Sequence, residues 1–205
     1  MRNNTVVFQS QLGSTLSRGT FIKRCPVCAD VELSRGFLET DLPAYGCGQC
    51  NGIWLSTNEY LAWLRTQANA SSEEFFADTP LPISDTKLAI LCPDCGHILR
   101  RYKISPDLEF HLNRCGHCNG VWFDPNEWQM LKSHNLHHQV NMFFTDPWQQ
   151  KLREEEMRRR FEKMYLDKFG AEDYAKIKDI RAWLAGHPLG PSLLAYLTDK
   201  DPYRG

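Results

Sequence analysis

Apolar residues along this chain follow two rhythms, and the change between them falls near Asp146. Beyond that point, residues 148–169 place Leu152, Met157, Phe161, Met164, Tyr165 and Phe169 mostly three and four positions apart. That spacing marks one apolar stripe on a long helix, which Gly170 ends. A second helix is predicted over residues 171–185, with Tyr174, Ile177, Ile180, Trp183 and Leu184 on one side. Residues 192–197 predict a short last helix capped by Ser192. The stripes of this helical hairpin require a partner surface. Before Asp146 the apolar runs are short and broken by polar turns. Ile53-Trp-Leu55 and Val121-Trp-Phe123 read as short strands with a tryptophan on one face. Each leads into the form of a capping box, Ser56-Thr-Asn-Glu59 and Asp124-Pro-Asn-Glu127, with Pro125 in the first turn. Helices are therefore expected over residues 57–66 and 125–133, and Glu59 and Glu127 read as helix initiators rather than as catalytic carboxylates.

The two strand-and-helix units are copies of one another. Cys47-Gly-Gln-Cys-Asn-Gly-Ile-Trp54 returns as Cys115-Gly-His-Cys-Asn-Gly-Val-Trp122, and the same offset carries Asn58-Glu59 onto Asn126-Glu127. It also carries Phe75-Phe76-Ala77-Asp78 onto Phe143-Phe144-Thr145-Asp146. The chain divides accordingly into an N-terminal segment 1–20, repeat units at 21–80 and 88–147, and a helical C-terminal region 148–205. Between the units, Thr79-Pro-Leu-Pro-Ile-Ser84 reads as an extended linker, because proline fixes its own backbone and biases the residue before it away from helix.

All eight cysteines fall into Cys-x-x-Cys pairs: Cys25/Cys28, Cys47/Cys50, Cys92/Cys95 and Cys115/Cys118. A two-residue spacer lets a tight turn aim two sulfurs at one point, and two such knuckles joined by a hairpin make the tetrahedral thiolate site that zinc accepts. Two Zn2+ ions are expected, one per repeat. Gly48 and Gly116, inside the second knuckle of each unit, are expected to permit its sharp turn, and Asn51 and Asn119 to tolerate the left-handed backbone that ends it. Trp54 and Trp122 are expected to pack as lids beside the metal.

Charge and composition narrow the function classes. The chain has 205 residues, 42% hydrophobic and 24% charged, in the range of globular proteins. Its formal charge of -1 falls to -5 once two tetrathiolate zinc centres are counted, a poor basis for wrapping long nucleic acid by bulk charge. Residues 1–20 lack a secretory apolar run, and no apolar stretch approaches the roughly 18 to 20 residues that span a bilayer. The expectation is a cytoplasmic protein with no membrane association, where paired cysteines serve metal or redox chemistry rather than disulfides.

These features resemble the transcription factor IIB-like zinc-ribbon family. Its pattern is Cys-Pro-x-Cys, a leucine, then Cys-x-x-Cys-Gly-Gly-x-Trp-Leu-Asp-x-Gly-Glu. The second unit matches with Cys92-Pro-Asp-Cys95, Leu99 and Cys115-Gly-His-Cys-Asn-Gly-Val-Trp-Phe-Asp-Pro-Asn-Glu127. The first matches with Cys25-Pro-Val-Cys28, Leu33 and Cys47-Gly-Gln-Cys-Asn-Gly-Ile-Trp-Leu-Ser-Thr-Asn-Glu59. Asparagine replaces the first glycine of the Gly-Gly pair and the glycine before the glutamate, and no ligand is touched. The expected fold class is α+β: two tandem small zinc ribbons, each of β-hairpin knuckles plus a short helix, followed by an α-helical region. The resemblance implies a fold relation to transcription proteins.

Three function classes follow. The first is a non-enzymatic adaptor that presents ribbons and helices to a protein partner, drawing on Phe143, Phe144, Trp148 and Trp183. The second is a nucleic-acid-binding regulator. The third is a redox protein, with iron in place of zinc or with knuckle cysteines cycling through disulfides. Candidate partner-binding cations are Arg18, Lys23 and Arg24 before the first knuckle and Arg100, Arg101 and Lys103 in the second hairpin. Glu154, Glu155 and Glu156 each precede an arginine by four positions, so that run reads as a paired, solvated helix face. His134 and His138 have helical ligand spacing, but no further ligand pattern accompanies them. With four cysteines closing each site, no three-ligand catalytic zinc is expected, and the chain is read as a non-enzyme.

Overall fold

The computed structural model describes residues 22–67 and 85–204. Arg18, the proline-containing linker and the first Phe-Phe segment lie outside these residues. The first repeat forms β1 (Ser34–Glu39), β2 (Leu42–Gly46), β3 (Ile53–Leu55) and α1 (Thr57–Gln67). The second forms β4 (Leu99–Lys103), β5 (His111–Cys115), β6 (Val121–Phe123) and α2 (Glu127–Ser133). These are not two separate ribbons. They share one six-stranded antiparallel sheet in the order β1-β2-β3-β6-β5-β4. The two repeats meet at its centre, where Ile53 pairs with Phe123, Trp54 with Trp122 and Leu55 with Val121. Trp54 faces its own counterpart in this register, so the repeats are related by a pseudo-twofold axis through the pair.

The period of two along these strands sorts side chains between two cores. Ile53, Leu55, Val121 and Phe123 point to one face, where α1 and α2 contribute Tyr60, Trp63, Trp128 and Leu131, and residues 136–144 add Val140, Phe143 and Phe144. Trp54 and Trp122 point to the other, among Cys25, Cys47, Cys92 and Cys115. Both faces are covered, which is why every residue of β3 and β6 is buried. Polar ties cross the repeat boundary on the helical face. The Tyr60 hydroxyl donates to the His137 carbonyl at 2.9 Å and accepts from the Val140 amide at 3.1 Å. Trp128 Nε1 donates to Glu39 at 2.7 Å, and Thr57 Oγ1 donates to the Asn119 carbonyl.

The capping reading of the second repeat needs correction. The helix begins at Glu127 rather than Pro125, because Asn126 takes a left-handed backbone with φ 69°, and the Asn126 side chain accepts no capping hydrogen bond from the helix. Glu127 Oε2 does accept the Asp124 amide at 2.9 Å, one half of a capping box. The Asp124 carboxylate, however, accepts from Trp122 Nε1 and from Thr86 instead of from α2. Phe143 and Phe144, read as candidates for a partner surface, are buried in the shared core.

The C-terminal helices are α3 (Asp146–Phe169), α4 (Ala171–Gly186) and α5 (Gly190–Thr198). The start of α3 is fastened to the ribbon unit: Trp148 Nε1 donates to the Ile104 carbonyl at 3.0 Å, and Gln149 Nε2 donates to the carbonyls of Lys103 and Phe143. Compact units divide at Leu152, with Arg153–Gly205 forming the second. In that unit Lys178 pairs with Glu162 at 3.0 Å, joining α4 to α3. The arginine run is a paired face, with Glu155 accepting from both Arg158 and Arg159. Ser192 does not cap α5, which starts two residues earlier, at Gly190, with proline in its first turn. No described helix is long and apolar enough to cross a membrane.

Candidate metal centres

Each set of four cysteines converges on one point. In both tetrads the four sulfurs lie within 4.8 Å of one another. Sulfur separations include 3.6 Å for Cys25–Cys50 and 3.9 Å for Cys47–Cys28 in the first, and 3.4 Å for both Cys92–Cys118 and Cys95–Cys115 in the second. A tetrahedron with zinc–sulfur bonds of about 2.3 Å requires sulfurs about 3.8 Å apart. All eight thiols are free, at separations far beyond a disulfide bond. The residues thus fit zinc, and four thiolates fill its coordination sphere.

The four knuckles close in one way. The amide after the second cysteine donates to the carbonyl of the first: Ala29 to Cys25 at 2.9 Å, Asn51 to Cys47 at 3.0 Å, Gly96 to Cys92 at 3.0 Å and Asn119 to Cys115 at 3.1 Å. All four closing residues have positive φ, at 57°, 60°, 71° and 63°. Glycine takes that conformation freely and asparagine tolerates it best among the rest. Three of the four asparagines that set this chain apart from the family pattern, Asn51, Asn119 and Asn126, therefore sit at left-handed positions, while Asn58 lies within α1. Amides inside the knuckles point at sulfur, with Cys28 N–H to Cys25 Sγ at 3.3 Å and His117 N–H to Cys115 Sγ at 3.4 Å. Gly48 and Gly116, expected to permit the turn, have neither positive φ nor a neighbour within 4 Å of an added Cβ. The turn is made without relying on them.

Gly52 and Gly120 are required for a different reason, the lack of space for a side chain. A Cβ on Gly52 would lie 2.1 Å from Trp122 Cζ2, and one on Gly120 would lie 2.3 Å from Trp54 Cζ2. Each tryptophan lies against the glycine of the opposite repeat. Trp54 Nε1 also donates to Asp94 Oδ2 at 3.1 Å, inside the first knuckle of the second repeat, and Lys23 pairs with the other oxygen of Asp94. The tryptophans are lids beside the metal and also the clasp between the two sites.

Protonation couples to the metal. Burial pushes the Cys25 thiol up to about 11 and holds Cys50 and Cys92 above their usual range. At Cys115 burial raises the thiol too, but hydrogen bonds from the Cys118 and His117 amides and the neighbouring thiols outweigh it, leaving it at about 7. Without metal most of these sulfurs carry protons at neutral pH, and zinc must displace them. Acid favours the thiols, so bound zinc is expected to be lost progressively as the pH falls below neutral. Metal analysis after gel filtration at each pH measures this, and retention of both ions throughout would contradict it.

The predicted cations are dispersed among different tasks. Lys23 is held by Asp94 and lies 4.8 Å from the Tyr45 ring centre, and Arg101 is held by Asp85 at 2.5 Å. Arg24 and Glu32 pair through their backbones as an antiparallel β-bridge, Arg100 is exposed on β4, and the Lys103 carbonyl accepts from Gln149. Arg114 holds the Asn119 side chain at 2.7 Å and lies 4.9 Å from the Phe144 ring centre. Among the histidines, His134 Nδ1 donates to the Met130 carbonyl at 2.9 Å at the end of α2, while His137 is partly buried beside His138 and is pushed down to about 4 by burial and by His138 and Lys132. Neither His134 nor His138 joins a metal-ligand group among the described residues.

The family described as transcription factor zinc-finger matches twice, over residues 24–66 and 91–134. Comparison with curated proteins and with solved structures returns no match. The matched segments hold all eight cysteines, both Trp strands, α2 and all of α1 but its last residue. Residues 24–66 and 91–134 are two tandem zinc ribbons of the transcription factor IIB-like type.

Proposed function

We propose that this chain is a non-enzymatic adaptor in which two structural zinc ribbons form a rigid body and the helices of Arg153–Gly205 offer an apolar surface to a protein partner. The observation that carries the reading is the state of those helices. No residue of α4 is buried, and Phe161, Ile180 and Trp183 stay 50%, 49% and 53% exposed. Apolar side chains in that number at a water surface mark interaction sites in soluble proteins. The closed tetrads support a structural role for the metal, since a catalytic zinc keeps one position open for water.

Affinity capture with the zinc-loaded full chain tests this against a Phe161→Ser/Ile180→Ser/Trp183→Ser variant of equal zinc content. The expected result is a protein retained by the parent and lost from the variant; identical retained sets would remove the reading. The family match favours a second reading, a nucleic-acid-binding regulator of transcription. Against it stand the acidic charge of the loaded protein and the engagement of Lys23 and Arg101 by carboxylates. Binding at low salt that weakens steeply with added salt is its signature. Metal analysis separates both from a redox role, which requires iron or disulfide cycling in place of zinc.

A further inference from the structure

The second ribbon contains a buried acidic group that its structural role does not explain. Glu127 is fully buried. Its Oε2 accepts the Asp124 amide, and its Oε1 has no hydrogen-bond partner. One carboxylate oxygen from each of Asp85, Asp124 and Glu127 lies within 4.8 Å of the other two. Asp85 presents the same deficit, because Oδ2 takes Arg101 and His111 while Oδ1 is buried and unpartnered. Asp124 is fixed by Trp122 Nε1 at 2.8 Å and by the amide and hydroxyl of Thr86 at 2.6 and 2.9 Å.

Ionised together, the three carboxylates would outweigh the one guanidinium beside them, Arg101, and two of their oxygens are buried without a partner. Buried charge of that kind is costly unless it is neutralised. Burial and the adjacent Asp124 charge together raise the Glu127 carboxyl well above its usual range, as expected for a group lacking a counter-charge. One ribbon of this chain does without the arrangement, although aspartate and glutamate stand at the positions of Asp124 and Glu127 in the family pattern. The first repeat builds the same strand and helix with Ser56 at the position of Asp124 and with Glu59 only half-buried.

We propose that Asp85, Asp124 and Glu127 bind one hard divalent cation, Ca2+ or Mg2+, through the orphaned oxygens Glu127 Oε1 and Asp85 Oδ1 together with the Asp124 carboxylate. A dication cancels the excess charge, and an all-oxygen donor set selects these ions over the thiolate-seeking metals of the tetrads. Arg101 and His111 hold Asp85 at the rim, the least buried part of the cluster. The site is separate from both cysteine tetrads.

The test uses the full chain carrying two zinc ions, dialysed into metal-free buffer and titrated by calorimetry with CaCl2 and with MgCl2 in separate arms. One additional ion per chain is expected to bind with a Kd on the order of 10⁻³ M or tighter, with Tm rising as that ion is added. The arm that saturates identifies the ion. Glu127→Gln is expected to weaken binding at least tenfold while keeping both zinc ions. Asp85→Asn, at the rim, is expected to do the same and provides the readout should the buried substitution impair folding. Absence of binding by either ion, or unchanged affinity in both variants, overturns the proposal. An infrared band of a protonated carboxyl that disappears in Glu127→Gln, with no ion bound to the parent, also overturns it by assigning the orphaned oxygens to a shared proton.

Discussion

Removal of zinc with a strong chelator is expected to unfold both ribbons in one transition rather than in two. Zinc contributes apparent folding free energies on the order of 10 to 16 kcal/mol in small peptide systems, comparable to or larger than the net stability of about 5 to 15 kcal/mol of an ordinary domain. Small domains rarely hold together without such a staple. In this chain the consequence extends across the repeat boundary. The two tetrads share one core, because Cys25, Cys47, Cys92 and Cys115 pack with Trp54 and Trp122 in a single cluster. The central strands β3 and β6 are each other's partners. Loss of either metal frees a tryptophan that seals the other half. The measurement is near-ultraviolet circular dichroism alongside released zinc, since Trp54, Trp122 and Trp128 are all fully buried. An unchanged spectrum after verified removal of both ions contradicts the prediction of metal-dependent folding. Two well-separated spectral steps, one per ion, contradict the shared core.

Local chemistry made much of this arrangement legible in the sequence. The eight ligands and the duplicated unit could be read because knuckle spacing is a local property. The strands around Trp54 and Trp122 and the extent of α1 followed from alternation and helix-start residues. What could not be read depends on which surfaces meet. Nothing in the string of residues 53–55 says that its sheet partner is 121–123 rather than solvent. That single pairing turns two ribbons into one sheet and buries both faces of both strands. The same limit explains the smaller errors. Gly48 and Gly52 look equally like turn glycines, but only Gly52 faces an indole from the other repeat. Glu127 fits a capping pattern, yet Asn126 delays the helix and Trp122 and Thr86 occupy the carboxylate meant to cap it. Phe143 and Phe144 follow a helix at the edge of a repeat and look exposed, but the second core needs them. Both Gly-x-Trp triplets recur at one offset, which suits a symmetric contact between copies.

Gly120→Ala is expected to destabilise the zinc-loaded protein by about 1 to 3 kcal/mol, the range for overfilling a packed interior. Backbone conformation does not explain that cost, because Gly120 does not have the positive φ that disfavours alanine. The cost comes from the contact, since the new methyl would lie 2.3 Å from Trp54 Cζ2. The indole has no easy retreat: it is fully buried and its Nε1 is held by Asp94. Trp54→Ala alone is expected to cost more, about 3 to 5 kcal/mol, the range for deleting a buried aromatic side chain. The combination separates this account from a simple sum of defects. Once Trp54 is alanine, the space beside residue 120 is open and the added methyl should cost nothing further or recover part of the loss. The double-mutant cycle then yields a coupling of about the full single-site cost of Gly120→Ala, within the range found for residues in direct contact. Denaturant unfolding of the four proteins, each verified to hold two zinc ions, measures it. Additive effects would show that the clasp between the repeats is not what requires a glycine there. Gly48→Ala serves as the control within the same kind of knuckle, and with open space around it is expected to leave stability nearly unchanged.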